Sequence, residues 1–252
     1  MKPSVLDTLV FLKREQIDES RWEKCHQQYG YNKLLYNQIW YLDALMGSDW
    51  QAAIWCDYKA ALPLPVQIKK GFSILANPIS LQQVHFCGNQ QDVDFEALWQ
   101  KLIKRFGKIS WAIDQNFWPN LKPTIRINQV LDTSSSTLNL VKKNRKNELA
   151  KVEDKGLELI LHNSYREGLR YLQSNFHRIG VQFSKSDFKK LENLMQVCQK
   201  KQKARFVFIQ HKADILGFYF WTWKGTILIY HIFSYHKNTG ALHLTPTLSG
   251  LK

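Results

Sequence analysis

The sequence predicts a mixed α/β protein of two successive units, each a mostly antiparallel sheet flanked by helices, and three observations lead there. The chain has 252 residues and a mass of 29.7 kDa, more than a single hydrophobic core usually fills, so two medium domains fit better than one. Its apolar periodicity switches from helical spacing to strand-like runs twice, once in each half. The two strand-rich stretches also share punctuation: Lys70-Gly71 and Lys224-Gly225 precede the last strand, and Lys59-Ala60 and Lys212-Ala213 precede the middle one. Few residues agree outside those positions, so the repeat is one of pattern.

In the first half, Thr8–Leu12 reads as a short strand, and Asp18 and Ser20 introduce a helix from Glu19 to Gln28. Leu35, Ile39, Leu42 and Leu45 recur at helical spacing and predict a second helix, stopped by Gly47-Ser48-Asp49. Residues 49–78 then read as three strands broken at Asp57–Lys59 and at Lys69-Lys70-Gly71. Pro63 and Pro65 cannot donate ladder hydrogen bonds, so the middle strand should be irregular or lie at an edge there. A helix over Phe95–Phe106 follows Asp92 and Asp94 and stops at Gly107, and the run Lys108–Gln115 closes this half as a strand.

The polar run from Asp132 to Thr137 separates the expected units, 1–131 and 138–252. A basic helix should then end at Gly156 before a strand. Two more helices follow, the second with Ser184 or Ser186 as N-cap. From Arg205 to Tyr235 the chain returns to a three-strand meander with turns at His211–Asp214 and Lys224-Gly225.

Composition narrows the function classes. With 44% hydrophobic and 22% charged residues the chain is built to fold rather than to stay disordered. A net charge of +14 attracts nucleic acid, an anionic membrane surface or a phosphorylated cofactor without choosing among them, and a merely basic surface is the plain alternative. Cys25, Cys56, Cys87 and Cys198 are widely spaced and form no CxxC pair, which argues against a zinc site or a disulfide framework. No HExxH, HxxxH or carboxylate cluster suggests a metal. The apolar start is broken too soon by Lys13, Arg14 and Glu15 for a signal peptide, and no run suffices to span a bilayer, so the expected location is the cytoplasm and no integral membrane segment is expected.

Helices leading into an antiparallel meander, then a helix and a strand, resemble the GNAT acyltransferase module, and two in one chain resemble the FemABX branch. The stretch Lys142-Lys143-Asn144-Arg145-Lys146-Asn147, with Ala150 and Lys155-Gly156-Leu157-Glu158, is similar to the FemABX segment in which a basic Arg-Asn run opens a helix that ends in Gly before a strand. Leu62–Pro65 and Pro78–Gln83 resemble an LPLP strand and a Pro-x-x-x-Gln-Gln segment of FemAB-like bacterial proteins. The resemblance spans residues 5–245 by element order. It implies tandem GNAT-like modules, the second C-terminally incomplete, and transfer of an acyl or aminoacyl group from acyl-CoA or aminoacyl-tRNA to an amine, without metal. Retention of the scaffold by a non-catalytic, polyanion-binding protein is the alternative.

The resemblance also locates candidate sites. A GNAT module holds the donor pyrophosphate on a Gly-rich loop at a helix N-terminus. The first half has Ala76-Asn77-Pro78-Ile79-Ser80 there, with no glycine, so no donor site is expected in it. The second half offers Ser234 and Lys237-Asn238-Thr239-Gly240-Ala241, which equally fits an ordinary loop-to-helix turn. No catalytic residue announces itself; Tyr230 and His231 on the preceding strand are the candidates, since one of two adjacent side chains must face the cleft side of the sheet, against a plain buried aromatic and surface histidine. Lys142, Lys143, Arg145 and Lys146 are the candidate tRNA or CoA phosphate contacts, against a solvated charged face. Trp221 and Trp223, two apart on a strand, could line a substrate groove or stack on bases, against core packing.

Overall fold

A computed structural model describes residues 8–29, 35–69, 71–114, 117–118, 121, 157–162, 164–178, 183–212, 214–224 and 227–235. It divides into two compact units, Met1–Asn128 and Gln129–Lys252. Among the described residues the fold is mixed α/β, with five α-helices and three small sheets.

The first unit begins with β1 (Leu9–Lys13), a 3-10 turn at Arg14–Gln16, α1 (Glu19–Gln28) and α2 (Ile39–Met46). The Asp18 carboxylate caps α1 by accepting from the Ser20 and Arg21 N–H groups at 3.0 and 3.1 Å. Trp22, Cys25 and His26 then fall on one face and are buried. The second helix starts at Ile39 rather than at Leu35 because Asn37 is claimed elsewhere. Its carbonyl accepts from Trp22 Nε1 at 2.9 Å, and its side chain is committed to the buried network described below. Arg14 fastens these elements, pairing its Nε and Nη2 with the two oxygens of Asp43 at 2.7 and 2.9 Å while Trp50 Nε1 donates to the same carboxylate at 2.8 Å.

The expected middle strand of the first meander is two strands. Sheet order β1-β2-β3 uses β2 (Gln51–Trp55) and β3 (Ala60–Leu64), all antiparallel. After Pro65 the chain leaves that sheet, and β4 (Val66–Lys69) joins β5 (Phe72–Ala76) and β6 (Lys108–Ser110) in a second one. Proline's missing N–H ends one ladder at that residue, while its carbonyl serves the other by accepting from Ala76 N at 3.0 Å. Between β5 and β6 lies α3 (Phe95–Arg105), capped by Asp94 and anchored by buried Leu98 and Leu102. The crossover makes β5 and β6 parallel, so this sheet is mixed rather than antiparallel. The final strand is also shorter than the sequence suggests, continuing past Ser110 only as a single parallel bridge between Ile113 and Val84.

The second unit has the order β7 (Leu157–His162), α4 (Tyr165–Arg178), α5 (Lys185–Lys200), β8 (Ala204–His211), β9 (Asp214–Lys224), β10 (Ile227–Tyr235). The four strands form one antiparallel sheet in the order β10-β9-β8-β7. Ser184 and Asp187 close a capping box at the start of α5. One sheet face carries Phe206, Phe208, Phe218 and Phe220, all buried, and α4 packs on β8, β9 and β10. Gly168 makes the approach possible, since a Cβ there would sit 2.1 Å from Phe218 Cζ. On the other face Val207, Ile209, Tyr219 and Trp221 form an apolar cluster with Leu157 and Leu216, and Leu159 and Leu161 extend it to an exposed edge.

Candidate functional site

The third strand of the second meander is irregular. Tyr230 pairs with Trp221 and Ile232 with Phe220, so His231 is an extra residue in β10 and the ladder shifts there. Bulges of this kind bend a strand, leave a backbone group unpaired and are enriched beside active sites, where they re-aim a side chain. Sequence reasoning singled out Tyr230 and His231 for their residue types. Pairing adds that they sit at the one break in the β9–β10 ladder. Ser234, two residues on from Ile232, returns to register opposite Phe218.

Two residues along β9 from Trp221, toward Lys224, an arginine meets an indole. Trp223 N donates to Lys203 O at 3.3 Å, which draws the start of β8 beside the end of β9. The Arg205 guanidinium carbon lies 4.6 Å from the centre of the Trp223 ring, within cation–π range. Lys200 ends α5, Lys201 is its C-cap, and Lys224 ends β9. Of these cations, Arg205 is the one placed against the half-buried Trp223 ring. A helix C-terminus favours nearby cations by itself, which accounts for Lys200 and Lys201 but not for Arg205 or Lys224. Trp221, by contrast, is 4% exposed and packs within the apolar cluster.

The first unit holds a buried polar network. Asn37 Nδ2 donates to the His85 carbonyl at 2.7 Å and approaches His26 Nε2 at 2.9 Å, and His85 N donates to Asn37 Oδ1 at 3.1 Å. His26 Nδ1 lies 2.8 Å from the Trp22 carbonyl, an acceptor, so the proton belongs on Nδ1 and Nε2 accepts from Asn37. His85 Nδ1 faces Asp114 Oδ2 at 2.6 Å, with Tyr36 stacked over the imidazole at 6.3 Å. Burial pushes the Tyr36 hydroxyl well above its usual range. The network ties α1, the segment before α2 and the 84–87 segment together, and His85 is 2% exposed, which gives it the character of a structural knot.

The loop 76–80 of this unit is closed by the side chains of Asn77 and Tyr41. Asn77 Nδ2 donates to Leu81 O at 2.9 Å, Asn77 Oδ1 accepts from Ala112 N at 3.1 Å, and Tyr41 OH donates to Ser80 O at 2.6 Å. The Ala112 amide, just beyond β6, is thereby occupied.

Burial also governs the thiols. It raises Cys25 to about 11 and Cys198 to about 12, and Cys87 higher still, so these three favour the protonated form. Among the described residues no group of three or more His, Cys, Asp or Glu side chains could hold a metal ion. None of their helices is long and apolar enough to cross a membrane. Lys142, Lys143, Arg145, Lys146, Lys237, Asn238, Thr239, Gly240 and Ala241 lie outside the described residues, as do the basic helix and Gly156. No protein-family model matches the chain, and no curated protein matches it.

Proposed function

We propose that the chain is an acyltransferase of the FemABX/GNAT type that moves an acyl or aminoacyl group onto an amine. The observation that carries this reading is the bulge at His231 in the last strand of the second meander, immediately ahead of the candidate donor loop. The shared element order supports it: strand, two helices, then a meander recurs from β1 to β5 and from β7 to β10, with Pro65 splitting the first copy. In this reaction the amine nitrogen attacks the acyl carbon, a C–N bond forms, and the thioester C–S or ester C–O bond breaks. The amine loses a proton to a base, a role this reading gives to His231, and the leaving thiolate or hydroxyl takes one from an acid, given to Tyr230. The closed loop at 76–80 supports a reading in which the donor binds the second unit.

Thermal-shift measurements with acetyl-CoA, longer acyl-CoAs and charged tRNA test the donor, since a ligand selective for the native state raises Tm. Transfer to an amine should fall on the order of a hundredfold in His231→Ala, within the usual range for losing a general base. Absence of a Tm shift with every donor refutes the proposal.

The Arg205–Trp223 corner favours a second reading, a non-catalytic polyanion binder. It requires single-stranded RNA affinity that weakens with salt and falls further in Arg205→Glu and Trp223→Ala. Salt-independent or absent binding removes it.

A further inference from the structure

The hairpin joining β4 and β5 has an unusual tip. Ile68 is 66% and Phe72 69% exposed, the two most exposed large hydrophobic side chains among the described residues. In the register Lys69 pairs with Phe72 and Ile68 with Ser73. Alternation along a strand therefore puts Ile68 and Phe72 on opposite faces of the ribbon. The turn itself is open, for Gly71 has φ +81° and nothing within 4 Å of the place where a Cβ would be. The folded body needs neither side chain, because Val66 and Leu75 already supply the hairpin's buried residues.

The segments that pair here are uniformly basic in sequence. The Gly107 N–H donates to Ser73 O at 3.2 Å and Lys108 pairs with Ile74, so the segment after α3 runs alongside the hairpin. Residues 66–76 and 101–110 together contain Lys69, Lys70, Lys101, Lys104, Arg105 and Lys108 and no acidic residue.

We propose that this tip docks the chain on an anionic lipid surface. A protein groove or a nucleic-acid strand would cover one face of a ribbon. A fluid interface surrounds both faces, which is what opposed Ile68 and Phe72 require. Phe72 could stack on a base, but Ile68 has no comparable use in RNA binding. The lysines supply attraction to anionic headgroups, while the apolar pair adds anchorage that salt does not screen.

Co-sedimentation of the full chain with vesicles provides the test. Binding is expected to phosphatidylcholine–phosphatidylglycerol vesicles and not to phosphatidylcholine alone. Ile68→Ser/Phe72→Ser should lower the partition coefficient on the order of a hundredfold, from the apolar area withdrawn from the interface. Lys69→Glu and Lys108→Glu should each lower it roughly fivefold or more. Phe72→Leu, which keeps the apolar anchor, should stay within a few-fold of the parent. Unchanged melting of each variant shows that the fold is retained. The proposal is overturned if the parent ignores anionic vesicles or if the double serine variant binds them like the parent. It also falls if that variant loses as much affinity for single-stranded RNA, which would make the tip a nucleic-acid contact.

Discussion

Replacing Gly168 by alanine tests how closely α4 must approach the sheet. The new Cβ would lie 2.1 and 2.2 Å from two Phe218 ring atoms and 2.9 Å from a third, well inside the roughly 3.5–4 Å of ordinary carbon contact. Phe218 is fully buried, stacked 6.4 Å from Phe206 and tilted 5.0 Å from Phe208, so the ring has little room to retreat. Overpacking of this kind costs about 1–3 kcal/mol. Alanine returns about 1 kcal/mol of helix propensity at an interior position. The clash involves a confined ring, so the larger cost applies and the expected net loss is about 2 kcal/mol. Phe218 also pairs with Ser234, so the strain falls on the strand pair that carries the His231 bulge. Urea unfolding of the full chain, followed by tryptophan fluorescence and far-UV circular dichroism, measures the change. In a Phe218→Leu background Gly168→Ala should become neutral or stabilising. Equal stability of Gly168→Ala and the parent, or the same loss in both backgrounds, refutes the close-approach argument.

Asn37→Ala should destabilise by about 3 kcal/mol or more, because it removes three buried hydrogen bonds, to the His85 N–H and carbonyl and to His26 Nε2; a loss below 1 kcal/mol would show that the knot is dispensable. Arg14→Lys should cost about 1 kcal/mol by replacing a two-pronged grip on Asp43 with a single contact, read in the same unfolding assay. Native-state alkylation at mildly alkaline pH should modify Cys56 first, since Cys25, Cys87 and Cys198 are buried and held as thiols, and the mass of tryptic peptides reports the order. For those thiols the folded pKa lies above the ordinary 9.0, so their contribution to stability is intact below that pH and is lost as pH rises through about 11 and about 12. The urea midpoint should therefore fall above pH 9, less steeply in Cys198→Ala, and a flat profile in the parent counts against this account.

Local signals were strong where a single residue type decides a local structure. Asp18, Asp94 and Ser184 mark helix starts because their side chains satisfy N–H groups that no other part of the helix can reach. Buried positions on α3 and α5 follow helical spacing for the same local reason. The strand character of β8 and β9, both long apolar runs, was equally visible.

Other features depend on partners distant in the chain. Asn37 lies in a run with helical spacing, yet His85, forty-eight residues away, holds it outside α2. Pro65 announced an irregularity, but only the pairing partners of Val66–Lys69 show that the chain changes sheets there. The His231 bulge is a property of register between two strands, and register has no signature in one strand read alone. Ile68 and Phe72 look in sequence like ordinary strand hydrophobics, and solvent exposure makes them a surface feature. Sequence by itself determined the element types and the basic charge, because capping, periodicity and ionisation act over a few residues. Tertiary structure decided which cation meets Trp223, which tryptophan is buried and which apolar side chains face water, because those follow from strand pairing and packing between segments far apart in the chain.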